Sequence, residues 1–480
     1  MRVITIVGGG SAGLCSALIL KIRFPQSIVK VIKSEKIGII GVGESTTEQL
    51  LDLMGYCQIT PKELIQEADA TVKLGVMFEN WTPNRYFHNV SAVFAELRIG
   101  LYLAAYGSSL DEKQTYTTNP LYKYNELYAD DTENIDHPHQ FHLNTYKFNE
   151  LLIKKCLEKG VEIIEDEILD VKVENDNITE LVGEKSIYKS DFYIDCTGMK
   201  RLLISKLGAK WESYEKYFKL NEAISFSTED TDTYNVYTVA RAMKYGWMWS
   251  IPTYGRWGNG YCFDNRYINK EQAQEEVEKF LGKKIEIARN IKFKPGKVDK
   301  AWIGNCVAIG LSSNFLEPLE ATSIGLTLNQ IFLLNHYITN YTHLDIEDYN
   351  NKFNIIVENV RDFIFLHYMI DKDDTQFWKD IQNIEPPESL KRNLDKWKNR
   401  LPIQEDFGNL GYQIFSDLNF TSVLLGTGFW KDKQKLKDEW NSYSPDIRKY
   451  IRLKITEELN FINYKAKLPH KEFLDIVRKS

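Results

Sequence analysis

The chain is predicted to be an α/β protein in which a parallel sheet starts at the N-terminus, an antiparallel sheet is laid beside it, and the C-terminal part is mainly helical. Three observations carry this. Residues 2–7 alternate and are β-branched, Gly8-Gly9-Gly10-Ser11-Ala12-Gly13 follows, and Leu14 to Ile22 has helical apolar spacing, which reads as strand, glycine turn and helix. Residues from about 215 to 265 alternate with period two. After Glu320 the apolar pattern takes the helical period and keeps it nearly to the end.

In chain order, Ile28-Val29-Lys30-Val31-Ile32 supplies the second strand of a βαβ start. Val161 to Thr197 reads as short strands, with turns at Glu174-Asn175-Asp176-Asn177 and Gly183-Glu184, ending in the apolar strand Phe192-Tyr193-Ile194; the segment is expected to return to the first sheet. Ala223-Ile224-Ser225-Phe226 and Tyr234 to Ala240 belong to the antiparallel layer on the substrate side. With no repeat, linker or low-complexity tract, the organisation expected is a 1–330 module with that sheet interleaved at about 215–265, and a helical 331–480 part packed on it.

Composition narrows the function classes. A 480-residue chain with 43% hydrophobic and 26% charged residues is an ordinary globular one, and a net charge of -7 argues against a general nucleic-acid or anionic-membrane binder. No apolar run reaches the roughly 20 residues of a membrane span, and no signal-peptide pattern precedes the first strand, so the cytoplasm is expected. The six Cys lack CxxC or Cys/His ligand spacing, so reduced, mostly buried thiols are expected and no metal. Self-association is compatible with the sequence and unspecified by it.

The glycines point to a ligand. In Gly8-x-Gly10-x-x-Gly13, missing side chains let backbone N–H groups, with Ser11 and Ala12, approach a pyrophosphate at a helix N-terminus; the alternative is a glycine turn that only packs a helix on a sheet. The acid expected after the second strand to bind a ribose is replaced by Lys33, with Glu35 two residues on. Asp195-Cys196-Thr197-Gly198 and Gly304-Asn305-Cys306-Val307-Ala308-Ile309-Gly310-Leu311 repeat the design of a strand ending in small residues. Either alone reads as a buried strand plus turn. All three in this order resemble the FAD-contacting segments of the Rossmann-type (GR2-like) flavoprotein monooxygenase fold, which implicates Gly198, Gly310 and Leu311 beside the first glycines.

Gly246-Trp247-Met248-Trp249-Ser250-Ile251-Pro252 contains the WxWxIP pattern, and here the chain resembles the flavin-dependent halogenases, tryptophan halogenases in particular. Two Trp at i and i+2 are otherwise a strand with one aromatic face; in the family, Trp247, Trp249, Ile251 and Pro252 would crowd the isoalloxazine and keep an organic substrate off it. Gly41-Val42-Gly43-Glu44-Ser45-Thr46 resembles the family's flavin strap, and Ala70 to Trp81 its catalytic-lysine segment, which places that role on Lys73. Phe315-Leu316-Glu317-Pro318-Leu319-Glu320-Ala321-Thr322 resembles the catalytic-glutamate segment, so the resemblance implies that Glu320 is that acid, that backbone at Thr322 and Ser323 binds halide, and that Ile324 lies by the flavin. Asn314 and Ser323 stand where the family commonly has glycine; Ser323 would disfavour a positive φ if the site needs one.

The resemblance implies reduced FAD (FADH2), dioxygen and a halide (chloride, bromide or iodide) forming hypohalous acid, which Lys73 directs onto an aromatic small molecule while Glu320 stabilises developing charge and accepts the departing proton. No second GxGxxG offers a nicotinamide site, so a separate flavin reductase is the implied partner. Taken singly, Lys73 could be a solvated surface lysine and Glu320 a helix N-terminal acid after Pro318. A flavin-dependent aromatic hydroxylase shares the three glycine segments, and a non-catalytic flavin binder would tolerate Lys33 and Ser323. Arg361-Asp362-Phe363, His367-Tyr368 and Phe377-Trp378 read as structural, and Phe420, Phe429 and Trp430 as helix packing or a pocket wall.

Overall fold

The computed structural model describes residues 2–38, 44–89, 139–408, 413–431, 434–453 and 467–480, together with isolated positions at 125–127, 129, 135 and 411. Two compact units divide the chain: Met1–Ala70, His142–Asn221 and Ile291–Arg361 form the first, and Thr71–Phe141, Glu222–Asn290 and Asp362–Ser480 the second.

In the first unit six strands run in the order Trp302–Ile303, Cys306–Ala308, Phe192–Asp195, Val3–Val7, Ile28–Lys33, Glu162–Glu165. All neighbouring pairs are parallel except the first. The Val3–Val7 strand feeds the helix Ser11–Arg23, as expected of an α/β dinucleotide fold. Both faces of this sheet are covered, so Ile4, Ile6, Val29, Val31, Phe192 and Ile194 are all buried.

The stretch from Val161 to Thr197 departs from expectation in its middle. Its ends, Glu162–Glu165 and Phe192–Asp195, do join the parallel sheet, but Ile168–Glu174, Asn177–Gly183 and Ile187–Tyr188 form an antiparallel sheet of their own. The cause lies in the residues: Ile168, Val171, Ile178 and Leu181 are buried while Leu169, Lys172, Glu174 and Ile187 are exposed, a pattern that suits a half-solvated meander and not a doubly covered parallel sheet.

In the second unit the expected antiparallel layer is a meander, Glu222–Thr228, Arg256–Phe263, Gly246–Thr253, Tyr237–Met243, extended by Gly75–Glu79 and Tyr86–Asn89. Gly75–Glu79 enters parallel to Tyr237–Met243, a pairing that period-two alternation alone does not announce. The C-terminal part is mainly helical, from Thr322–Tyr337 to His470–Lys479. Phe363, Tyr368 and Trp378 are core residues, and the Trp378 indole donates to the Met243 carbonyl at 2.8 Å. Phe420 and Trp430 are buried in helix packing, and Trp430 donates to the Trp397 carbonyl at 2.6 Å. All six cysteines are free thiols, five of them buried. Among the described residues no helix is long and apolar enough to cross a membrane, and no His/Cys/Asp/Glu cluster suits a metal ion.

Candidate active site

The three glycine segments converge. Val7 pairs with Asp195 and Asp195 with Ala308, so the segments carrying Gly8–Gly13, Gly198 and Gly310 leave the carboxyl ends of three adjacent strands. In open α/β sheets that edge is where ligands bind. The turn is tight: a Cβ at Gly13 would stand 1.9 Å from the Gly8 carbonyl oxygen, so helix and strand approach through missing side chains. At Gly10, which caps the 13-residue helix, and at Gly198, by contrast, an added Cβ would meet nothing within 4 Å, which leaves backbone facing open space. Ser11 turns its hydroxyl to Asn149 at 2.8 Å, so what it offers a ligand at this turn is its backbone. This surface fits the pyrophosphate of FAD.

Two residues that sequence reasoning left without a role hold this edge in shape. Asp195, fully buried, accepts from the Thr197 amide and hydroxyl (2.9 and 2.7 Å), the Ser312 hydroxyl (3.0 Å) and the Leu203 and Ile204 amides (2.8 and 2.9 Å). It thereby fixes the loop after its own strand and ties it to the neighbouring one. Gln330, on the helix Thr322–Tyr337, accepts from the Ser313 hydroxyl at 2.8 Å and donates to the Ala308 carbonyl at 3.3 Å, bracketing Gly310 and Leu311. An acid ending an apolar strand was the available signal for Asp195. Gln330 has none, since a glutamine in a helix is usually a solvated one.

Lys33 sits beneath the glycine turn, its Cβ 2.5 Å from where a Cβ on Gly9 would be. Its ammonium lies 3.3 Å from Glu35 and 3.7 Å from Glu165, so two carboxylates offset the charge that replaces the ribose acid.

Of the strap residues, Gly41, Val42 and Gly43 lie outside the described residues. Glu44–Ser45 is a short strand beside the turn Leu319–Ala321, and Ser45 and Thr46 are buried. Glu320, also buried, stands in that turn with φ 63° and ψ 8°, and Ala321 follows with φ 57° and ψ 37°. The α-helix therefore begins at Thr322, and Glu320 is not the helix N-terminal acid that its place after Pro318 suggested: two left-handed residues interrupt the helix between them. Each such conformation costs a non-glycine residue about 1–2 kcal/mol, and strain of this kind collects at functional sites. The positive φ falls on Glu320 and Ala321, while Ser323 is an ordinary helical residue, so the serine carries no penalty. Ala321, at the cap position, makes no side-chain cap to the first turn formed by Thr322, Ser323 and Ile324.

Lys73, Trp247, Trp249, Ile251 and Pro252 belong to the second unit. Lys73 ends the strand Thr71–Lys73 and is completely buried, which excludes a solvated surface lysine. The backbone is held on both sides of it: the Thr71 hydroxyl donates to the Pro252 carbonyl (2.6 Å), the Val72 amide to His470 Nε2 (2.9 Å) and the Leu74 amide to the Val236 carbonyl (2.7 Å). Strand alternation puts Thr71 and Lys73 on one face. Trp247 and Trp249 share a face of their strand with ring centroids 5.9 Å apart, and both are buried. Trp249 lies flat on Gly260 of the adjacent strand, where a Cβ would come within 2.0 Å of the indole.

A family model described as tryptophan halogenase matches residues 3–440. The chain is 28% identical over 470 residues to the tryptophan 6-halogenase SttH of Streptomyces toxytricini, covering 88% of this chain and 89% of that one. It is likewise 28% identical over 476 residues to the 7-chloro-L-tryptophan 6-halogenase KtzR of Kutzneria sp., covering 88% and 90%. The SttH crystal structure superposes with a TM-score of 0.91 at 25% identity, covering 99% of each chain. Xcc4156, a flavin-dependent halogenase from Xanthomonas campestris, gives 0.82 at 26%, covering 99% and 98%.

Proposed function

The chain belongs to the tryptophan halogenase family of flavin-dependent oxidoreductases, which use FADH2 and halide, and from that premise we propose that it halogenates an indole- or phenol-like aromatic through Lys73 and Glu320. The comparisons favour halogenation over the aromatic hydroxylation that the glycine segments alone would also allow. When bound, reduced FAD with dioxygen and halide supplies the oxidised halogen as hypohalous acid.

The chain's own residues then have separate tasks. Backbone at Gly8–Gly13, Gly198 and Gly310–Leu311 would hold the pyrophosphate of FAD, and Ser45, Thr46 and Ile324 would serve its flavin side. The start of the helix at Thr322 and Ser323 offers N–H groups to a halide, with the helix dipole adding to the attraction. Trp247 and Trp249 are the residues that the family resemblance assigns to keeping an organic substrate from the flavin. Lys73 would hold hypohalous acid by an N–H hydrogen bond, or take the halogen on its nitrogen as the O–X bond breaks and water leaves, and so fix the electrophile against one ring carbon. Glu320 stabilises the positive charge that grows during attack and takes the ring proton. The observation that carries this reading is the complete burial of Lys73 between residues anchored at Thr71, Val72 and Leu74. Taking an ammonium out of water costs several kcal/mol, and that cost is the reason to seek a chemical role for Lys73.

Because SttH and KtzR are named for tryptophan and a chlorinated tryptophan, an indole is the first substrate to try. A separate flavin reductase is the proposed source of FADH2, and free thiols throughout suit a cytoplasmic setting. The test is mass spectrometry of reactions holding the protein, FAD, NADH and a flavin reductase with indoles and phenols, each with chloride, bromide or iodide. A halogen mass shift that requires the protein supports the proposal; hydroxylated products alone would overturn it. Turnover on NADH and FAD without a reductase would remove the partner.

A further inference from the structure

We propose that His470, the first residue of the C-terminal helix, is a positioning residue for Lys73, acting through its hydrogen bond to the Val72 amide. The inference rests on the role given to Lys73 above. Val72 and His470 are both buried, and the Val72 N–H points at Nε2 from 2.9 Å. An amide can only donate, so Nε2 is the bare nitrogen of a neutral ring whose proton is on Nδ1. Burial keeps the ring neutral, holding the histidine down at about 4, while the carbonyls of Tyr234 and Asn235 act in the opposite direction.

A β-strand ordinarily finds a backbone carbonyl for each inward amide. Leu74 does so at Val236, but Val72 meets a side chain from 398 residues away. Without it a buried N–H would be orphaned, and the peptide would turn to find an acceptor, taking the adjoining Lys73 with it. The histidine can bear this duty because its helix is fastened. Its own amide donates to the Asn125 carbonyl at 2.8 Å, Leu468 and Pro469 pair with Leu127 and Glu126, and the Tyr254 hydroxyl donates to Asp475 at 2.7 Å. Lys471 reaches the Thr231 carbonyl at 2.7 Å, and Phe473, Leu474 and Val477 are buried beneath.

Two substitutions separate positioning from mere presence. His470→Gln places an amide atom where Nε2 stands, whereas His470→Asn keeps polarity only at the Nδ1 position. Both are compared with native enzyme for kcat and KM on an aromatic substrate, and for hypohalous acid captured by a soluble scavenger. His470→Gln is expected within about threefold of native kcat, and His470→Asn about tenfold or more below it with KM unchanged and more oxidant captured, since sub-ångström misplacement of a reacting group has effects of that order. Tyr254→Phe loosens the same helix without touching Val72 and is expected to keep native kcat.

Equal kcat in the Gln and Asn variants, or an equal fall in Tyr254→Phe, overturns the proposal. Lys73→Ala is run alongside: if it stays active, the reading of Lys73 fails; if it is inactive while both histidine variants match native, only the role of His470 fails. Should the Asn variant not fold, amide hydrogen exchange at residues 71–74 in His470→Gln decides, because fast exchange there with native kcat also refutes positioning.

Discussion

Lys73 and Glu320 are presented by opposite kinds of backbone. Lys73 ends a regular strand whose neighbours make short, ordinary hydrogen bonds to Pro252, His470 and Val236. Glu320 stands with Ala321 in a left-handed pair that no helix or strand would choose, and the helix begins only after it. The lysine is thus held by partners distant in sequence and without local strain. The glutamate is held by strain that the surrounding structure imposes. One arrangement fails when a remote partner is lost, the other when the local conformation relaxes.

Removing the side chains themselves tests the comparison most strongly. Lys73→Ala is expected to lower directed halogenation on the order of a thousandfold, because the electrophile loses its fixed position; an unchanged product yield by mass spectrometry would leave free hypohalous acid as the reagent. Glu320→Gln keeps size and conformation but not charge, and should lower kcat on the order of a hundredfold, read in single-turnover kinetics with prereduced flavin.

Acid should then weaken the lysine side of the comparison first. The buried His470 titrates at about 4 in the folded chain, below its ordinary value of 6.5, so the unfolded chain takes up the proton first as pH falls. Its contribution is complete above the ordinary value and is lost on descending towards about 4, amounting to about 3 kcal/mol. Urea unfolding at several pH values would show it, and His470→Gln should flatten that stretch of the curve. Gly260→Ala is expected to cost about 1–3 kcal/mol by driving a methyl into Trp249, with a change in near-ultraviolet circular dichroism from the displaced indole. The smallest effect belongs to the strained turn: Ala321→Gly relieves a left-handed alanine but frees the unfolded chain, for a net stabilisation of about 0.5 kcal/mol. A destabilised Ala321→Gly would mean that the turn is not strained.

What could be read from the sequence follows the same division. The βαβ start, the antiparallel layer and the helical C-terminal part were legible because period and glycine placement are local signals, and the three glycine segments did prove to leave adjacent strand ends. Glu320 was legible as a residue but not as a conformation, since nothing in Pro318-Leu319-Glu320-Ala321 announces two left-handed residues. The separate sheet of Ile168–Tyr188 was missed because short strands state their period and not their partners. Asp195 showed only as an acid closing an apolar strand, and Gln330 and His470 showed as nothing, because their roles exist only in the hydrogen bonds that folding brings to them.

The bond between Val72 and His470 also sets a clock on synthesis. A ribosome adding roughly 5–20 residues per second needs about 20–80 seconds to travel the 398 residues from one to the other. Throughout that interval the nascent chain contains the Thr71–Lys73 strand but lacks the acceptor that completes it. The Val72 amide finds its acceptor only once His470 has been made, so the peptide bearing Lys73 is set later than the strand that carries it is synthesised.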